Sequence, residues 1–433
     1  MFRGRFIVVL FLCVSGVYGQ SGFTARPVDD LLFKVAVYGP SDEIFIWWGH
    51  AALIVENTKL DYSRVFDWGI FSYPGDNFLK EFLKNQVRYK CTVEALNINM
   101  YIEEDRDIAV YTLDLDAEKK ELILAYAENN VLPEHCYYDY HEFRDNCATR
   151  IRDIIDMGTG GQLKEILAAA PGRLSLRQHI RRFTWSRPFS GWFLDFLMGQ
   201  DLDEPVTVWE EMFLPVEIGR AIANFRYRDS AGTERKLVRS IELINSTKKR
   251  PPILNAPLRR WPGDLALSVL AAIVCLGLDI LRKKRPLTGR ILWGAANSIV
   301  GLGGGAAGCV LVYGLFFMNN DYIQQNINIL FLNPLLLAAV PLGICTAANK
   351  AVRIRPERIL RLLWTGVFIA GLLTLLIKVL PPFFQQNQPV LALILPVAFV
   401  LSGLSGRLID APFSWIGQYT GPGRKEKVPP GLG

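Results

Sequence analysis

Tyr137-Tyr138-Asp139-Tyr140-His141-Glu142-Phe143-Arg144-Asp145-Asn146-Cys147-Ala148-Thr149-Arg150 is the stretch on which the fold turns. A polar turn ends at a cysteine, and Ile151, Ile154 and Ile155 then follow at helical spacing. Asn146 is suited to cap that helix, whose N-terminus places partial positive charge beside the sulfur and favours the thiolate, the nucleophilic form. Small Ala148 and Thr149 leave room at the thiol, and Arg144-Asp145-Asn146 is a poor lead-in to an apolar core site. Two readings stay open from these residues: a nucleophile at Cys147, or a buried structural thiol.

A nucleophilic cysteine needs a base, and the chain offers four histidines, His50, His135, His141 and His179. His50 lies between two apolar runs in Ile44–Val55, next to Gly49, where a backbone or substrate can approach closely. That segment reads as a strand, and Arg64–Gly69 reads as the next one. Asp67 on the second strand is placed to reach the far ring nitrogen of His50 and fix its tautomer. The competing readings are a satisfied core histidine at His50, and His141 as the base.

Taken together, Trp48-Gly49-His50, Val65-Phe66-Asp67-Trp68-Gly69, Asp145–Arg150 and Met212-Phe213-Leu214-Pro215 resemble the Lnb N-terminal periplasmic domain family over about Phe23 to Ile244. That family is similar to the circularly permuted papain-like (NlpC-type) folds, which include lecithin retinol acyltransferase and carry the histidine strand ahead of the cysteine helix. The resemblance implies Cys147 as nucleophile, His50 as base and Asp67 as the third polar residue. Backbone N–H groups at the start of the Cys147 helix, with the Asn146 side chain assisting, are expected to hold the oxyanion. It also implies an acyltransferase that moves an acyl chain from a phospholipid, through a thioester, to the amino group of a diacylglyceryl lipoprotein.

The 433 residues are 50% hydrophobic, with the apolar residues gathered toward the C-terminal end. The expected organisation is a signal peptide over 1–20, a catalytic domain over 21–246, a basic linker over 247–263, a five-span membrane domain over 264–410 and a tail over 411–433. An uncleaved N-terminal anchor is the alternative to the signal peptide. The expected fold is therefore an α+β permuted papain-like exported domain followed by an α-helical membrane domain. Strands are expected near Leu32–Val37, Ile44–Val55, Arg64–Trp68 and Ile108–Leu115, and helices at Asn77–Leu83 and Ala117–Leu132.

The expected spans are Leu265–Leu281, Ile291–Met318, Ile327–Ala347, Ile359–Leu380 and Val390–Leu404. Lysine and arginine crowd the loops after the first, third and fifth, and are missing from Asn319–Asn326 and Pro381–Pro389. The positive-inside rule puts the basic loops in the cytoplasm and the exported domain outside, so the expected location is a bacterial inner membrane with the catalytic domain in the periplasm. The basic linker Lys248–Arg260 runs against the rule. Gly301, Gly303, Gly304, Gly305 and Gly308 read as a helix-packing seam.

In Met157–Gly199, arginines alternate with aromatic residues, which reads either as a core-covering helix or as a surface resting on anionic headgroups. Cys91 and Cys136 can pair in an oxidising compartment, leaving Cys147 free. No cofactor, metal or nucleic acid is expected: the net charge of +6 is modest and no ligand spacing or basic–aromatic nucleic-acid motif is present. Besides the acyltransferase, two readings remain, a membrane-anchored cysteine peptidase or amidase acting on cell-wall peptides and a non-catalytic envelope binding module.

Overall fold

A computed structural model describes residues 28–71, 87–318, 320–349, 355–380 and 383–405. The signal peptide, the Asn77–Leu83 helix and the tail expected from the sequence lie outside these residues. The first half is an α+β domain. Its strands are β1 (Leu31–Tyr38), β2 (His50–Asn57), β3 (Tyr62–Phe71), β4 (Arg88–Ala95), β5 (Ile108–Leu113), β6 (Tyr137–Asp139), β7 (Arg226–Arg228), β8 (Glu234–Lys236) and β9 (Val238–Asn245). Seven of them form one antiparallel sheet in the order β6-β4-β3-β2-β1-β5-β9, and β7 pairs with β8. Helices α1 (Ile98–Glu103), α2 (Ala117–Asn130), α3 (Cys147–Gly158), α4 (Gln162–Ala169), α5 (Leu176–Phe183), α6 (Pro188–Leu197), α7 (Val208–Glu211) and α8 (Pro215–Ile222) complete the domain.

The strand expected over Ile44–Val55 is shorter. Ile44–Ile46 form a tight helical turn, Gly49 takes a left-handed φ of 86°, and the strand begins at His50. A side chain on Gly49 would meet the Tyr38 carbonyl at 2.6 Å, so both conformation and space demand glycine there. The turn therefore delivers His50 as the first residue of β2, opposite Tyr38.

Alternation along the strands divides the core. Leu31, Phe33, Val35, Leu53, Val55, Phe66 and Trp68 face the helices, while Ala36, Tyr38, Ala52, Ile54 and Val110 line the other face. On α3, Ile151, Ile154 and Ile155 are fully buried against the sheet. Their burial contributes roughly 5–9 kcal/mol before chain entropy is counted, enough to fix the rotational setting of the helix. Cys147 shares that face by spacing, so the packing that buries the isoleucines also aims the thiol at the sheet.

The second half holds α9 (Trp261–Lys284), α10 (Pro286–Phe317), α11 (Ala339–Ala347), α12 (Pro356–Ile377) and α13 (Gln388–Leu401). Four segments are long and apolar enough to cross a membrane: Trp261–Lys284, Pro286–Phe317, Ile327–Ala347 and Pro356–Ile377. Gln388–Leu401 is apolar but shorter. Many of their apolar side chains face outward, Leu267, Leu270 and Ile273 each at 60% exposure, as lipid contact requires. This is a membrane-spanning protein.

The third segment is not one helix. Turns at Ile327–Leu330 and Pro334–Ala338 precede α11, with Asn326 and Asn333 capping them and Pro334 starting the second. Four of the five α10 glycines form the expected seam: side chains on Gly301, Gly304, Gly305 and Gly308 would come within 2.4, 2.9, 2.7 and 2.3 Å of Ala339, Leu336, Leu337 and Asn333, whereas one on Gly303 would meet nothing within 4 Å.

Candidate active site

Cys147 begins α3, and Asn146 caps it reciprocally with Thr149. Asn146 Oδ1 accepts the Thr149 N–H at 2.9 Å, and Thr149 Oγ1 accepts the Asn146 N–H at 2.8 Å. Both hydrogens of the Asn146 amide are engaged elsewhere, with Nδ2 donating to the Glu142 and Phe213 carbonyls at 2.8 and 3.1 Å. Asn146 therefore holds the turn, and the amide expected to assist at the oxyanion is not free to do so. The N–H groups of Cys147 and Ala148 have no acceptor among the described residues.

His50 Nε2 lies 2.9 Å from Asp67 Oδ2, which leaves Nδ1 free of that carboxylate, and Cys147 is near enough for its charge to act on the imidazole. The His50 and Asp67 side chains are 13% and 14% exposed. Burial alone would lower the His50 pKa. The charge of Asp67 and then of Cys147, with hydrogen bonds to both, overcome it and raise the value to about 10. Burial likewise works against ionised Asp67, but His50 and the Gly69 N–H, at 2.6 Å from Oδ1, hold its carboxyl below the usual range. That N–H is available because β3 bulges between Asp67 and Ile70. The structure thus brings together His50, Asp67 and Cys147 as a histidine-strand and cysteine-helix site.

Two of the other histidines, His141 and His179, are occupied, and His135 is exposed. His141 Nδ1 accepts the N–H groups of Phe143 and Arg144, at 3.2 and 3.3 Å, and so shapes the turn before Cys147. His179 is fully buried between Glu211 and Arg182, and burial lowers its pKa.

Several neighbours were not singled out by sequence. Tyr38 stacks on His50 with ring centroids 5.9 Å apart, and the Arg106 guanidinium lies over both Tyr38 and Tyr101. Tyr89, Tyr138 and Tyr140 lie within electrostatic reach of Cys147. Burial raises their phenol pKa values and Cys147 adds to each, so they remain neutral donors. The Tyr138 hydroxyl donates to the Trp68 carbonyl, and its ring lies under Arg150, which binds Asp145 at 2.6 and 2.7 Å. The available signal was Tyr138 and Tyr140 at strand spacing within the stretch quoted first. The Met212–Pro215 motif acquires a role here: the Phe213 carbonyl anchors Asn146, and Pro215 lies near Gly49.

The turn before Cys147 rests on the membrane half. Glu142 accepts from Asn320 Nδ2 at 2.5 Å, Arg144 pairs with Asp321 at 2.9 Å, and Phe143 and His141 pack on Tyr322 at 4.7 and 5.7 Å. Farther along, the Gly199 N–H donates to the Tyr322 carbonyl, Asn326 Nδ2 to the Phe196 and Leu197 carbonyls, and the Gln386 N–H to Asp203. The loops after α10 and after α12 therefore share the side of the bundle on which the sheet domain sits.

The expected headgroup-binding arginines are mostly engaged inside the protein. Arg177 is buried against Asp195 and Asp203, Arg182 against Glu217 and His179, and Arg181 against Asp195 and Gln386. Arg173 stays exposed, and the aromatic part of that surface is presented, with Phe189 83% and Phe193 41% exposed on α6.

Residues 32–181 match the Lnb N-terminal periplasmic domain family, the one that the motifs resemble. The match takes in His50, Asp67, Asn146 and Cys147 and stops short of Met212–Pro215. No curated protein and no solved structure matches the chain.

Proposed function

Starting from that family match, we propose that the protein is a membrane-bound thiol acyltransferase that carries an acyl chain from a phospholipid through a Cys147 thioester to the amino terminus of a lipoprotein. The observation that supports it most is the contact of Glu142, Phe143 and Arg144 with the loop leaving α10. This contact holds the nucleophile against the membrane half, where a lipid ester can reach it. An enzyme of soluble wall peptides needs no such placement. The loop charges favour a domain on the outer, periplasmic face of the inner membrane, and the two loops without lysine or arginine are those beneath the domain.

In this mechanism the Cys147 sulfur attacks the ester carbonyl after its proton has passed to His50. The Cys147 and Ala148 N–H groups face the developing oxyanion. The tetrahedral intermediate collapses, His50 returns the proton to the departing lysophospholipid, and the acyl group stays on sulfur. The free amine of the lipoprotein then attacks the thioester. His50 takes the amine proton and returns it to sulfur as the amide forms. Asp67 keeps the imidazole oriented and stabilises its cationic form. The test supplies phospholipid carrying a labelled acyl chain. Label should appear on the protein, be released by hydroxylamine and be absent from Cys147→Ala. Undiminished lipoprotein N-acylation by Cys147→Ala refutes the proposal.

A further inference from the structure

We infer that Cys91 and Cys136 form a redox-sensitive crosslink that fastens the edge strand leading to the nucleophile. β6 is three residues long and is held by β4 alone, through Arg88↔Asp139, Tyr89↔Tyr138 and Lys90↔Tyr137. The next rung of this antiparallel register sets Cys91 opposite Cys136, and the Cys91 N–H donates to the Cys136 carbonyl at 2.8 Å. Residues directly opposed in such a ladder have Cα atoms about 4.5–5.5 Å apart and project to the same face. A disulfide spans about 4.4–6.8 Å, so the backbone already stands at bridging distance. Both residues are thiols in this structure.

The position has consequences. Cys91 lies beside the β3 bulge that carries Asp67, and Cys136 opens the segment that runs through Tyr138 and Tyr140 to Cys147. A short edge strand with three rungs frays readily, and a covalent bond at its entry removes that freedom. The two thiols are unequal. Cys91 is buried, which pushes its pKa up, whereas Cys136 is partly exposed. With a small disulfide oxidant such as oxidised glutathione, the Cys136 thiolate attacks one sulfur and releases one thiol. The Cys91 sulfur, losing its proton, then attacks Cys136 and releases the second. Two protein thiols become one disulfide, and the oxidant becomes two thiols. Cys147 takes no part.

The experiment uses the full chain purified in detergent, equilibrated with oxidised glutathione, alkylated and mapped by mass spectrometry. The expected result is a peptide pair joined through Cys91 and Cys136, with the alkyl group on Cys147. The thermal midpoint should exceed that of Cys136→Ser by roughly 5 °C or more under oxidising conditions, and the gap should close on adding reductant. Alkylation of both Cys91 and Cys136, a linkage that includes Cys147, or equal midpoints under oxidising conditions overturns the inference. None of these readouts needs acyl transfer, so the inference and the proposed activity fail separately.

Discussion

Gly69→Ala tests the site without removing any polar group. A β-carbon at Gly69 would stand 2.3 Å from His50 Cε1, 2.9 Å from Nδ1 and 3.0 Å from Asp67 Oδ1. The first distance falls about 1.1 Å short of the 3.4 Å at which ordinary contact begins. Gly69 has no positive φ, so the new methyl group introduces a clash and no backbone penalty. If the ring yields, the imidazole shifts relative to Asp67 and Cys147. If β3 yields, the Gly69 N–H withdraws from Asp67. Either way the array loosens by about 1 Å, a misplacement that costs on the order of 100-fold in rate, or about 2.7 kcal/mol of transition-state stabilisation. Overpacking should cost the fold only about 1–3 kcal/mol, so the variant should still be recoverable. The assay is the rate of labelled thioester formation, with the thermal midpoint as the check on folding. A folded Gly69→Ala protein that acylates Cys147 at the wild-type rate would falsify the assignment of His50 as the base.

The His50–Asp67 pair gives stability a defined pH dependence. His50 holds its proton to about pH 10 in the fold, against 6.5 for a free imidazole, so its contribution is complete below about 6.5 and is lost as pH rises toward 10. Asp67, held below 3.8, adds stability above that pH that is lost on acidification. Thermal midpoints across this range should show the alkaline decline in the wild type and a flatter curve in Asp67→Asn, which should also acylate more slowly; a wild-type midpoint that climbs from pH 7 to 10 contradicts the pairing. Arg177→Ala leaves Asp203 buried without its cation, while Asp195 keeps Arg181, and should cost about 3–5 kcal/mol, read as a fall in the thermal midpoint. Arg144→Ala breaks a pair with partners 58% and 59% exposed, so it should change stability by at most about 1 kcal/mol. Impermeant thiol labelling of Asp321→Cys and Lys427→Cys should report opposite sides of the membrane, and labelling of both from one side refutes the loop-charge topology.

The alternation of β1, β2 and β3, the α3 periodicity and the apolar segments were legible because each is a local pattern of burial that repeats every two or 3.6 residues. The cysteine helix, its Asn146 cap and the pairing of His50 with Asp67 were legible as well, since adjacent antiparallel strands bring such residues side by side. The break at Gly49 was harder to read, because the close approach that excludes a side chain there comes from the Tyr38 carbonyl of another strand. The break at Asn333-Pro334 was signalled by a cap and a proline but masked by the surrounding leucines.

Composition and spacing by themselves determined that an α+β half precedes a membrane half, and which cysteine and histidine were candidates for the site. Only the tertiary structure decided what the polar side chains do. The arginines of Met157–Gly199 read equally as a core-covering helix or a headgroup surface until Asp195, Asp203 and Glu217 were seen closing around three of them. Asn146 read as an oxyanion donor until the Phe213 carbonyl, 67 residues away, was seen holding its amide. The physical reason is common to both cases. Burial of apolar groups follows the chain's own period, whereas a charge or an amide is committed by whichever partner the fold brings within 3 Å of it, and that partner is remote in sequence.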